Sequence, residues 1–234
     1  TSWLNPNGVL RALIEIYFES NTLKVLILEG NINEILEYFE SIIFPADDVF
    51  LSQPFSLNRF QEVDDINSWR IYKPILFKNE DRDFEIFKNN KSILSTNELK
   101  IWKINQAIPS LHNEINGKNN PLELGLIDLI DFKKGCYLGQ ETMAKIKNVS
   151  SLKQEIRVWK SLKSFLNSKS ENKNLYINSK KENSVGNITN FYKSDNYIYG
   201  LAMIKRKYLN IGNSFYSEIF GQINIKKSIG SIFF

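Results

Sequence analysis

One cysteine, Cys136, and one histidine, His112, are all that this 234-residue sequence offers of the side chains that most often hold metals. A single cysteine excludes an internal disulfide framework and any cluster site built wholly from cysteines of this chain. A single histidine leaves no second imidazole for a typical zinc site or catalytic triad. No stably bound metal is therefore expected. Strong charge of one sign is missing as well, since 30 Lys and Arg stand against 26 Asp and Glu for a net +4. That balance permits an acidic ligand or an RNA-bearing partner but is no dedicated nucleic-acid patch. No apolar run reaches the length of a membrane span, and no signal-peptide pattern opens the chain. The expectation is a cytoplasmic protein without a membrane partner. Thr1 rather than methionine comes first, with strand-like sequence almost at once, so a lost front segment is also expected.

What is present suits a sheet-rich protein with a sizeable core: 42% of residues are hydrophobic and 13% aromatic, over a length that accommodates two domains. Asn5-Pro6-Asn7-Gly8 punctuates a turn, counted from Trp3. The partial alternation from Val9 predicts a long strand, turned at Asn21 into a second strand over 23–28. Ile32, Ile35, Leu36, Phe39 and Ile43 recur at helical spacing, and Pro45 stops that helix before a short strand expected over 47–51. Two strands, a helix and a returning strand imply a split α+β unit with an antiparallel sheet. Acidic turn residues fill 63–69, and short strands are expected over 71–77 and 84–88. Ser95 with Glu98 three positions on is a capping box, opening a helix through Ala107 that Pro109 ends. A polar loop, 117–121, and an apolar segment, 122–130, follow. Beyond Ser151 strand-like runs recur at 154–159, 175–177, 185–192, 197–204, 214–219 and 222–225, separated by turns such as Ser194-Asp195-Asn196. That spacing predicts a small antiparallel barrel. The expected domains are 1–150, α+β, and 151–234, the barrel.

Lys134-Gly135-Cys136-Tyr137-Leu138-Gly139-Gln140-Glu141 holds the single cysteine between two glycines. Lys133 and Lys134 raise the local positive potential, and Gly135 offers the backbone freedom for a sharp turn. Residues 140–149 have helical composition, placing Cys136 at or just before a helix N-terminus. Both features favour a thiolate. Gln140 and Glu141 add an amide and a carboxylate. The alternative is plainer: a lone cysteine is often a small buried hydrophobe. His112 could pair with Cys136 only if the fold brought them together, and otherwise lies exposed in a polar loop. Asp64, Asp65, Asp81 and Asp83 read as turn and surface carboxylates, and Lys205-Arg206-Lys207 as a solvated basic rim.

The octapeptide, read as Lys-Gly-Cys-[Phe/Tyr]-x-Gly-Gln-Glu, resembles the signature of the YgfZ family of folate-binding proteins, related in fold to the glycine-cleavage T-protein, an aminomethyltransferase. Trp102-Lys103-Ile104-Asn105-Gln106-Ala107-Ile108-Pro109 resembles that family's helix and the turn that ends it. Pro121-Leu122-Glu123-Leu124 resembles its approach to the motif. Asn5-Pro6-Asn7-Gly8-Val9-Leu10 resembles its early turn. Gly186-Asn187-Ile188-Thr189 and Gly200-Leu201-Ala202 resemble its barrel strands. The resemblance spans the chain, though the family normally has several tens of residues ahead of this start.

It implies split folate-binding and ferredoxin-like modules followed by a C-terminal β-barrel, with tetrahydrofolate as cofactor. It also implies a role in iron–sulfur cluster assembly or repair, with assembly or client proteins as partners. Those clients include radical enzymes that methylthiolate tRNA, so tRNA would be an indirect partner. Cys136 would be the functional thiol and Lys134 its tuning cation or anion contact. Gly135, Tyr137, Gly139, Gln140 and Glu141, with Asn105 and Arg11, would form the cofactor-binding set. Two departures matter. The T-protein's early strand leads to a catalytic aspartate where this chain has Arg11-Ala12, and its pterin-gripping glutamate corresponds to Asn105. An amide loses the charge-assisted hydrogen bond, and Ala107 replaces the glycine usual in that turn. Enzyme activity is thus left open. The alternatives are a folate-dependent aminomethyltransferase and a non-catalytic RNA- or protein-binding module.

Overall fold

The computed structural model describes residues 1–19, 22–62, 74–78, 82–89, 91–146, 152–209 and 214–226. The turn at Asn21, the acidic stretch 63–69, the start of the strand expected from 71, Asp81, the end of the motif helix at 147–149 and the boundary at Ser151 lie outside the described residues. The fold is α+β with a closed antiparallel barrel. Two compact units divide the chain: Thr1–Ile32 with Lys103–Phe234, and Asn33–Trp102.

The first unit opens with a three-stranded antiparallel sheet, β1 (Ser2–Leu4), β2 (Leu10–Glu19) and β3 (Thr22–Glu29). Trp3 and Leu4, expected to open a turn, pair with Ala12 and Leu10 instead, so the turn narrows to Asn5–Gly8. Leu10, Ala12, Leu13 and Ile14 are buried along the half of β2 that meets β1. The barrel closes in the order β10-β11-β6-β9-β8-β7: β6 (Gln154–Leu162), β7 (Asn174–Tyr176), β8 (Ser184–Lys193), β9 (Tyr197–Lys205), β10 (Ser214–Ser217) and β11 (Gly221–Lys226). Trp159 fills its centre against Phe220 at 4.9 Å, its indole N–H donating to the Leu201 carbonyl at 3.1 Å. Gly200 passes so close that a Cβ there would lie 2.3 Å from Trp159 Cζ2. Ile188, Ile198, Ile204, Phe215 and Ile223 complete the core. Six strands suffice because each contributes alternate residues inward, and closure leaves no open edge.

In the second unit α1 (Ile32–Ile42) ends before a 3-10 turn, Pro45–Asp47. No strand follows over 47–51: Asp48 is left-handed at φ 50°, and Val49, Phe50 and Leu51 are exposed. A hairpin, β4 (Leu57–Phe60) with β5 (Ile75–Lys78), comes next. The strand expected over 84–88 is instead α2 (Arg82–Asn89). Phe84 and Phe87, three apart, lie on one helix face and meet Phe60 and Phe77 of the hairpin at centroid distances of 5.1–6.2 Å. A run of five residues cannot separate period 2 from period 3.6, and this four-ring contact decided it. α3 (Thr96–Asn105) starts at the expected capping box, Ser95 N–H donating to Glu98 Oε2 at 2.8 Å and Glu98 N–H to Ser95 Oγ at 3.3 Å. Its last residues belong to the first unit.

Candidate functional site

The motif is anchored by two interlocking turns. In the first, Asn5 Oδ1 accepts from the backbone N–H groups of Asn7 and Val9 at 3.0 and 2.9 Å, and Gly8 N–H closes onto the Asn5 carbonyl at 2.9 Å. In the second, Gly139 carries a φ of +80° and its carbonyl accepts from Met143 N–H at 3.0 Å, starting α4 (Gln140–Ile146). A Cβ on Gly139 would sit 2.7 Å from the Asn5 oxygen and 2.8 Å from Gly8 Cα. One on Gly8, itself at +71°, would strike Met143 Cε at 2.8 Å. The two turns touch backbone to backbone, and only glycine fits.

Above that base the loop faces solvent. Cys136 is exposed and lies four residues ahead of Gln140, the first helical residue, rather than at the helix N-terminus itself. Asp131 Oδ1 accepts from Lys133 and Lys134 N–H at 2.8 and 3.2 Å, bending the approach. The sharp turn expected at Gly135 lies elsewhere. Gly135 has no positive φ and, among the described residues, nothing within 4 Å of a Cβ built on it, whereas Gly139 carries the left-handed conformation. The Lys134 ammonium stands 4.9 Å from the Tyr137 ring centre. The Tyr137 hydroxyl is buried and has no hydrogen-bond partner among the described residues, and burial first, then Asp131, pushes its pKa up. Gln140 Oε1 accepts from Tyr137 N–H at 3.4 Å. Glu141 turns outward to Lys145 at 2.6 Å, whose hydrogen bond and charge hold the carboxyl below its usual range. Thr1, Asp128, Leu129, Ile130, Asp131 and Lys134 line an open depression of about 400 Å³ beside the loop.

α3 ends in a two-bond cap: Ala107 N–H reaches the Ile104 carbonyl at 2.9 Å and Ile108 N–H the Lys103 carbonyl at 3.0 Å. Ala107 occupies the left-handed position, φ 51°, that such a cap usually gives to glycine. Lys103 Nζ and Leu111 N–H both bind Glu29, at 3.2 and 3.3 Å, fastening the helix end to β3. Asn105 Oδ1 and Gln106 Oε1 are buried and have no hydrogen-bond partner among the described residues. Buried amide oxygens are rarely left so. Arg11, on β2, has its guanidinium beside Gly117. The approach segment is itself capped. Asn120 Oδ1 accepts from Leu122 and Glu123 N–H at 3.0 Å each, and Gly125 at φ 66° ends the single turn.

Sequence reasoning missed Glu114 and Gln106. Glu114 is fully buried: Ser110 N–H and Oγ donate to Oε2 at 3.0 and 3.1 Å, and Thr189 Oγ1 donates to Oε1. Desolvation raises its pKa despite these bonds. The carboxyl ties the loop after α3 to barrel strand β8. Nothing in a lone Ser-x-x-x-Glu spacing marks it, because its third partner is 75 residues distant. His112 is exposed at φ 67°, and no interaction joins it to Cys136 among the described residues. Asp83 is exposed on α2; Asp64 and Asp65 lie outside the described residues. Of the basic run, Lys205 Nζ donates to the Ser184 carbonyl at 2.7 Å and Arg206 pairs with Glu155 at 3.1 Å. Among the described residues no three His, Cys, Asp or Glu side chains gather as a metal site, and no helix is long and apolar enough to cross a membrane.

No family model matches the chain. A protein of Arabidopsis thaliana named as a putative transferase, chloroplastic, is 32% identical to it over 115 residues, which is 48% of this chain. The matched stretch spans 25% of that relative's length.

Proposed function

We propose that this chain is the T-protein-like core of a tetrahydrofolate-binding accessory protein of iron–sulfur cluster assembly or repair, working in the cytoplasm. One observation carries the reading. Cys136 is exposed on a loop whose base is locked by two left-handed glycines packed backbone to backbone. A cysteine kept for packing would be buried; here rigid architecture holds a thiol out to solvent. The resemblance of residues 134–141 to the YgfZ signature supports the same role.

The residues suit the cofactor. A reduced pterin presents N–H donors along its ring edge, and Asn105 Oδ1 and Gln106 Oε1 are buried acceptors with no donor among the described residues. These two would hold the ring, while Lys134 and Arg11 would meet the carboxylates of the glutamyl tail. Bound tetrahydrofolate supplies a nucleophilic amine able to accept a one-carbon unit. Gly139 keeps the loop in shape, and Gln140 braces Tyr137. The cluster itself is cargo: one thiolate cannot retain it, so thiolates of an assembly or client protein complete the coordination. Enzymes that methylthiolate tRNA are the clients in view, with tRNA involved through them.

The transferase name of the Arabidopsis relative favours a second reading, folate-dependent aminomethyl transfer. It needs a carboxylate where this chain carries Arg11 and the fully buried Ala12. Methylene transfer from glycine, assayed with purified glycine-cleavage partners, would establish it.

The deciding experiment is complementation of a bacterium lacking its YgfZ protein, scored by tRNA methylthiolation, with Cys136→Ala alongside at equal expression. Rescue by the unmodified protein alone is the expected result. Equal rescue by both would remove the thiol from the role. Calorimetric titration with tetrahydrofolate tests the cofactor separately. Asn105→Leu is expected to weaken binding about tenfold, as the loss of one buried hydrogen bond should.

A further inference from the structure

The chain's modest net charge conceals a sharp division. Residues 152–234 hold 14 Lys and Arg against 5 Asp and Glu, a net +9, while residues 1–151 hold 16 against 21, a net −5. A basic C-terminal region joined to an acidic N-terminal one points to a polyanionic partner for the basic region. Charge alone does not choose among polyanions. The side chains on the barrel's outer face do.

Register places them. Ile198 and Ser161 point inward and are buried, so their neighbours Tyr197, Tyr199, Lys160 and Leu162 point outward. Lys160 pairs with Tyr199, Tyr199 with Tyr192, and Leu162 with Tyr197. The result is a row of three tyrosines across adjacent strands with a lysine among them. Tyr197 and Tyr199 lie 6.4 Å apart, and the Lys160 ammonium stands 3.4 Å from the first ring centre and 5.4 Å from the second. Two more lysines flank the turn that Tyr197 leaves. Lys163 N–H bonds to the Asn196 carbonyl at 3.1 Å, and Lys193 precedes Ser194, whose N–H bonds to the Tyr197 carbonyl at 2.8 Å. Asp195 is the acid of that turn.

We infer that the outer face of strands β6, β9 and β8 binds single-stranded nucleic acid, with Tyr197 and Tyr199 stacking bases and Lys160, Lys163 and Lys193 meeting phosphates. Neighbouring aromatic rings on a sheet face are the platform on which splayed bases stack, and a duplex would hide those bases. An acidic peptide would use the lysines and leave the rings idle. This surface is independent of the thiol loop and of folate.

The test is fluorescence anisotropy of the whole chain with a labelled oligouridylate about 12 nucleotides long, with inorganic polyphosphate as a second, baseless ligand. Oligouridylate should bind in the micromolar range and weaken steeply with salt. Tyr197→Ala should cost about tenfold for oligouridylate and nothing for polyphosphate. Lys160→Ala should weaken both and lower the salt slope by about one. Tyr197→Leu keeps the packing against Leu162 while removing the ring, and gives the same comparison should the alanine variant unfold. Absence of oligouridylate binding at low salt overturns the proposal. So does equal binding by wild type and the folded Tyr197 variant, which would leave only a general polyanion surface.

Discussion

Gly135 and Gly139 stand four residues apart in one loop, and the physical demands on them differ. At Gly139 a methyl group meets the Asn5 oxygen and Gly8 Cα while the backbone is held at φ +80°. Gly139→Ala is expected to destabilise by about 2–4 kcal/mol, combining backbone strain with a clash against main chain that cannot swing aside. Gly135→Ala meets open space and should change stability by less than about 0.5 kcal/mol. Urea denaturation of both variants separates the roles; similar costs would contradict the interlocked turns. The sequence pointed to Gly135 for the sharp turn and to Gly139 only as its partner in the motif. It could not show which of them the fold constrains, because the contact that distinguishes them comes from residues more than a hundred positions away.

Elements were legible wherever pattern and punctuation agreed. The barrel strands fell within a few residues of expectation because alternation, turn residues and closure all favour one register. α3 was announced by its capping box, and Ser95→Ala should cost about 1 kcal/mol and speed amide exchange in its first turn. The helix α2 was misread, since its short run presents two phenylalanines whose purpose appears only beside Phe60 and Phe77. Within the barrel Gly200 packs directly against the indole of Trp159, where a Cβ would lie 2.3 Å from Cζ2. Gly200→Ala should therefore cost about 3 kcal/mol, through a displaced indole and a broken bond to Leu201. Near-ultraviolet circular dichroism of the tryptophan band would register that displacement. An unchanged band would show that the indole is not displaced and would contradict this account.

For the molecule as a whole, pH dependence should carry the mark of Glu114. Burial raises its pKa above the ordinary 4.5, so the folded protein keeps a proton that the unfolded chain releases. The associated stability is fully present below that ordinary value and is lost as pH rises through the raised one. Glu123 shifts in the same direction, again through burial. Glu114→Gln has no carboxyl to titrate, so its Tm relative to wild type should improve as pH rises above the ordinary 4.5. A difference that stayed constant with pH would show that Glu114 ionises alike in both states.

By itself the sequence determined the α+β character, the antiparallel barrel, the early turn and the motif that singles out Cys136, because each is written in local periodicity, turn chemistry or one contiguous signature. Only the tertiary structure decided that Cys136 is exposed and that Gly139 rather than Gly135 holds the loop. It alone left two amides of α3 and its cap without donors among the described residues and set a buried carboxylate between that cap and the barrel. Those properties depend on which distant groups approach one another. Exposure, close backbone contact and unpaired polar atoms are relations between segments, and no short stretch of sequence contains both partners.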